Sequence, residues 1–286
     1  MNSALFGLVA ALTWGVHDFL ARFPSRAVGP VPTVFAVTVS GFVYLSLWLL
    51  IDGGALHIVW PEIWLVAVSG ICLALATLSL FAALALGPIS IVAPIAGSYP
   101  ALAMILALAQ GARPSLSQWL AIAAVMAGVG VVSRAGGKYE ESGHLAPGKL
   151  KTVLALGFGA SLGFAAALTS GQAAVPHFGD IETIWFSRAF GLVTIGAILL
   201  SQSPRPQLPA RWLPVLGLMG ALDVTALGTV IAAGNLADPE FATVVSSTFG
   251  AVAVILARLF LKEEIAPAQL GGMVLIFGGV AMLAGV

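Results

Sequence analysis

Four ionisable side chains stand inside otherwise apolar stretches of this sequence: His17, Asp18, Arg188 and Asp223. A charge at the centre of a bilayer costs roughly 3 kcal/mol even on the mildest insertion scale, so such groups persist where a partner or a solute offsets the cost. At about 1.5 Å per helical residue, Arg188 lies roughly 10 Å inside the start of its segment. By the same rise Asp223 lies roughly 18 Å along the next, antiparallel segment, which brings the two to one level. Pairing relieves the desolvation of both. Such a pair has two uses: holding helices together, or receiving a zwitterion, with Arg188 on a carboxylate and Asp223 on an amine. His17 and Asp18 come near the inner end of the first apolar segment. Histidine changes charge near neutral pH, which makes the two residues candidates for proton coupling; the plainer use is an interfacial pair closing the helix end.

Aromatic and hydroxyl candidates reach similar depths. The run Ala93-Pro94-Ile95-Ala96-Gly97-Ser98-Tyr99-Pro100 puts two prolines, a glycine and a serine near the middle of one segment. A missing donor and a ring clash at each proline predict a bend or local unwinding there. In lipid, such backbone is tolerated only beside protein or a wet cavity. Tyr99 and Ser98 in this break, with Trp14 and Phe164 in the first and sixth segments, are expected to wall a pocket carrying a hydroxyl tip. Trp185 joins them if Arg188 points inward, since i and i+3 share a helix face. Ser246 and Ser247 occupy the corresponding part of the ninth segment as candidate substrate contacts, although hydroxyls there also bond back to their own helix.

These side chains need spans to carry them. Of 286 residues, 59% are hydrophobic and only 8% charged, and the mean hydropathy is +1.04. A soluble domain carries about a quarter charged residues, so a soluble enzyme is excluded. The net charge of zero removes the basic field of a nucleic-acid binder. A span takes about 20 apolar residues, which leaves room for roughly ten. The lone Cys72 forms no internal disulfide, and no Cys/His metal spacing is present, so neither metal nor cofactor is expected. Met1-Asn2-Ser3 has no positive charge and the first segment has no Ala-x-Ala exit; it is expected to remain a span rather than a cleaved signal.

Apolar segments fall near 3–21, 31–51, 62–86, 89–110 and 116–134, then near 151–175, 181–201, 211–234, 240–261 and 266–285. A polar connection over 135–150 divides a first unit, 1–134, from a second, 151–286. At an offset of 150, Thr33 meets Thr183, Gly41 meets Gly191, Gly70 meets Gly220, and Trp14 meets the aromatic Phe164. Five spans per unit is an odd number, so the second unit crosses the membrane in the opposite sense. The expected fold is an all-α integral membrane protein of ten transmembrane helices, two inverted five-helix repeats around a central cavity, the plan of many carriers.

The pattern resembles the drug/metabolite transporter superfamily. The resemblance rests on two EamA-type units, Trp14-Gly15 in the first helix, the Ala-Leu-Gly-Pro run at 85–88, Gly111–Leu120 before a Gly-rich fifth helix, and Leu261-Lys262-Glu263-Glu264 before the tenth. Size and the aromatic-bearing helices are similar to the YddG-type amino-acid exporters. The resemblance implies secondary transport without ATP, and no GxxxxGK[ST] loop occurs. Export of amino acids, aromatic or broad-range, is the expected function. The alternatives are another drug or metabolite permease, a channel, and a membrane-embedded lipid enzyme; HExxH and GxSxG motifs for the last are absent. The expected partners are a small zwitterionic solute and the lipid bilayer, with a monomer as the simplest assembly. Arg22, Arg26, Arg134, Lys138, Lys149, Lys151, Arg205, Arg211 and Lys262 fall on one side and Arg113 on the other. This places both termini outside a cell membrane of the bacterial inner type.

Overall fold

Hydrocarbon offers the backbone no partners, so a spanning segment must satisfy its own N–H and C=O groups as a helix. The computed structural model describes residues 3–52, 56–109, 113, 115–141, 145–204, 206–232, 245–246 and 248–283. Its α-helices are α1 (Ser3–Val28), α2 (Pro30–Asp52), α3 (Ile63–Leu86), α4 (Ile89–Ala96), α5 (Tyr99–Ala109) and α6 (Leu116–Glu141) in the first half. The second half has α7 (Leu150–Phe178), α8 (Asp180–Ser201), α9 (Leu213–Ala232), α10 (Phe249–Phe260) and α11 (Pro267–Leu283). Among the described residues, seven stretches are long and apolar enough to cross a membrane, α4 and α5 together making one of them; α10 and α11 are shorter apolar helices. Large apolar side chains such as Leu50, Ile51, Val193 and Phe260 are exposed, the surface a bilayer covers and water does not.

Three boundaries differ from the sequence expectation. Helix α1 continues to Val28, because Arg22 and Arg26 near its end are held by the carbonyls of Gly87 and Ala85. His17 and Asp18 therefore sit mid-helix and buried, not near a helix end. Helix α6 runs on to Glu141, into the stretch read as a polar connection; Lys and Glu are good helix formers, and charge alone does not stop a helix. The break in the fourth segment is narrow. Only Gly97 and Ser98 separate α4 from α5, since Pro100 has no N–H with which to continue the ladder.

The halves interlock by exchanged pairing. The second helix of each half packs on the third of the other, α2 on α9 and α8 on α3; the first helices repeat this, α1 on α9 and α7 on α3. Helix α6 packs along α11. Backbone meets backbone at the α3–α8 and α2–α9 crossings, as it also does between α6 and α11. A Cβ on Gly70 would overlap the carbonyl oxygen of Ser187, and one on Gly220 would lie 2.7 Å from the Gly41 nitrogen. Gly70 and Gly220 are mates at the offset of 150, so the two seams are equivalent places in the two halves.

Gly70→Ala should lower the thermal midpoint in detergent, the overpacking costing about 1–3 kcal/mol. Gly217→Ala, where an added Cβ meets nothing within 4 Å, should leave it unchanged or raise it slightly, Ala being the better helix former by about 1 kcal/mol.

Candidate functional site

Side chains at i, i+3 and i+4 share a helix face, so Trp14, His17 and Asp18 point together from α1. They meet Tyr99 of α5, Phe164 of α7, Arg188 of α8, Asp223 of α9 and Phe249 of α10 around a cavity of about 250 Å³. Arg188 Nη2 donates to Asp223 Oδ2 at 2.6 Å, and Trp14 Nε1 donates to Asp223 Oδ1 at 3.0 Å. Both carboxylate oxygens are thus engaged, one by a helix of its own half and one by a helix of the other. His17 Nδ1 and Asp18 Oδ1 form a second buried pair at 2.9 Å, with the His17 ring tilted against Phe81.

Among the described residues, three polar atoms in this wall are buried without a partner: His17 Nε2, Arg188 Nε and Ser187 Oγ. Each unmet group of this kind costs about 1–3 kcal/mol. Their residues all line the cavity, so a polar solute or water entering it has donors and acceptors waiting. The aromatic side of the wall is built by edge-on contacts, Trp14 with Phe249 at 6.2 Å and Tyr99 with Phe164 at 6.3 Å between ring centroids.

Seven of the sequence candidates come together here: Trp14, His17, Asp18, Tyr99, Phe164, Arg188 and Asp223. Trp185 does not. Its ring packs on Phe42 and Phe186, and Nε1 donates to Ser46 Oγ; three residues turn a helix by less than a full circle, which carries it off the Arg188 stripe. Ser98 is also outside the lining. Its hydroxyl is spent on the helix break, on the Ile95 carbonyl at 2.7 Å and on Ser161 Oγ at 3.1 Å. Ser246 is buried and lies outside the cavity wall, and Ser247 lies outside the described residues.

Neutral polar residues escaped the sequence reading, among them Thr38, Ser69, Gln172, Thr183 and Ser187 on the wall. A signal existed for two of them. Thr183, Ser187 and Arg188, with Gly191, follow one stripe of α8, which a helical plot anchored on the buried arginine would have picked out.

The wall is also internally paired. At the offset of 150, Trp14, His17, Asp18, Arg188 and Asp223 have the mates Phe164, Ala167, Leu168, Thr38 and Leu73, and every one of these ten residues lines the cavity. Each of the four ionisable members has an uncharged mate, so these four groups are gathered on one side of the pseudo-symmetry.

A family model described as the EamA-like transporter family matches residues 1–134 and again 151–285. The chain belongs to the EamA-like transporter family. This EamA-like protein is accordingly a multi-pass membrane transporter of the drug/metabolite superfamily, with two EamA repeats. Among solved structures, one described only as a crystal structure of a protein shares the fold, with a TM-score of 0.64 at 17% identity over 98% of this chain and 97% of that one. No curated protein matches the chain.

A double-mutant cycle tests the central ion pair. Arg188→Met and Asp223→Asn should each destabilise the EamA-like protein by about 3 kcal/mol, since each leaves a charge in the bundle without its partner. The double variant should recover much of that loss in thermal unfolding, giving a coupling energy well above experimental error.

Proposed function

We propose that the chain is a secondary transporter of amine-bearing small metabolites, amino acids above all, moving them outward by alternating access. Ten membrane passes in two inverted repeats, with both termini outside a bacterial-type inner membrane, complete this reading. The exchanged pairing of the halves supports the inverted arrangement, and the excess of Lys and Arg in the loops of one side supports the orientation. The same cavity would resemble that of YddG-type exporters in its use.

One observation carries the proposal: Arg188, Asp223 and Trp14 form a charged cluster across the two repeats, on the wall of a central cavity that is also lined by the apolar Phe164, Leu168 and Leu73. A zwitterion can share this cluster. Its carboxylate approaches Arg188, its ammonium approaches Asp223, and its side chain turns to Phe164, Leu168 and Leu73. The solute then substitutes for the ion pair rather than adding to it, so binding loosens a cross-repeat tie at the moment the carrier must move. His17 and Asp18, with Asp223 and Arg188 as their charged neighbours, form the proposed proton-coupling pair.

Counterflow in proteoliposomes separates carrier from pore. External labelled amino acid should accumulate against an internal unlabelled pool, and Asp223→Asn should cut the initial rate by at least about tenfold, the usual size of a lost hydrogen bond to a charged group. Absence of trans-stimulation across a panel of labelled amino acids would remove the amino-acid carrier reading. His17→Gln should flatten the pH dependence of exchange between pH 5.5 and 7.5, about the window in which a histidine titrates; an unaltered profile would discard the coupling role.

A further inference from the structure

The cavity extends toward one end of the molecule, and packed side chains close off the other. Gln172, Val175 and Asp180 line it where α7 ends and α8 begins. Toward the start of α7 the lining stops near Leu80, about 10 Å short of Gly87 along the chain of α3. The intervening space is filled by Phe81, Leu84, Ile91, Ile95 and Val153, all fully buried in one cluster.

Behind this plug lies an acid that the carrier reading leaves unused. Glu263, on the connection between α10 and α11, forms an ion pair with Arg22 of α1 at 2.8 Å, with both side chains largely buried. Its two oxygens also accept the backbone N–H groups of Ile89 and Ser90, at the first turn of α4, at 3.1 Å each. Those donors lack intrahelical partners, so a carboxylate there is favoured by both hydrogen bonding and the helix dipole. Arg22 in turn donates to the Gly87 carbonyl at 2.9 Å. Gln269 of α11 adds a bond to the Ser90 carbonyl at 2.7 Å. The turn that aims Glu263 inward holds Lys262 at φ 56°, a left-handed conformation that such residues seldom adopt.

The sequence does not repeat this pair of residues in the other half. At the repeat position of Glu263 stands Arg113 or, with a one-residue slip, Ala112, and Gln172 stands in place of Arg22. The tie therefore breaks the symmetry that the glycine seams keep. We propose that Glu263 is the positioning residue that latches this end of the cavity shut, joining α1 and the start of α4 to the α10–α11 connection, and that transport requires the latch to open and re-form. This rests on the alternating-access reading of the same cavity.

Thiol labelling tests it without any solute, so its result is independent of whether amino acids are exchanged. In full-length protein carrying Cys72→Ser, a reporter Leu84→Cys in the plug should react slowly with a polar maleimide in detergent. Adding Glu263→Gln, or separately Arg22→Gln, should speed that reaction roughly tenfold to hundredfold, the range expected for losing a hydrogen bond to a charged group. A second reporter, Ala174→Cys, sits fully buried in the packing at the opposite end and should keep its slow rate. Unchanged labelling at Leu84→Cys in both variants would overturn the latch. So would equal acceleration at Ala174→Cys, which would show general loosening instead.

Discussion

A buried charge in a low-dielectric bundle must be matched, and that requirement organises this molecule. Asp223 is matched twice, by Arg188 on the neighbouring helix and by Trp14 on the first helix of the chain. Neither donor can move far without exposing a carboxylate to apolar surroundings. The cluster therefore fixes the relative height of α1, α8 and α9, and with it the level of the cavity. A solute bearing its own opposite charges is one of the few things that can replace such a tie at little net cost, because it brings the same pairing with it.

Duplication supplies the scaffold and divergence supplies the chemistry. The equivalent seams at Gly70 and Gly220 keep the two halves in the same packing relation. On that scaffold the polar residues have drifted to one side: each of His17, Asp18, Arg188 and Asp223 has an uncharged mate across the pseudo-symmetry. Glu263 repeats this theme at the end of the bundle, where its mate cannot carry the contact. Equal halves with unequal decoration give a cavity whose charged groups are gathered on one side of the pseudo-symmetry, the form that the zwitterionic solute proposed above would use.

Much of this was legible in the residues. Membrane character followed from composition, and the break around Gly97 and Ser98 followed from the proline spacing. The depth argument put Arg188 and Asp223 on one level, where they bond directly. Failures have specific causes. His17 and Asp18 lie near the end of the apolar run but in the middle of α1, because Arg22 and Arg26 are caught by carbonyls at the end of α3, a long-range contact that no local pattern reveals. Trp185 was assigned inward by its spacing from Arg188, but its indole found Ser46 and Phe42 on α2. Glu263 was noticed only as part of a loose run before the last helix. Its partners lie far away in sequence, and pairing over such distances is settled by packing rather than by periodicity.

The two glycine seams have a mechanical consequence. Side chains that interdigitate must disengage before one helix can slide on another, and packed interiors resist this because they switch between discrete arrangements. Where a glycine brings backbone close to backbone, fewer side chains interdigitate and a small shear requires less repacking. The crossings of α3 with α8 and of α2 with α9 are thus a matched pair of thin contacts, the places where the movement proposed above would meet least resistance.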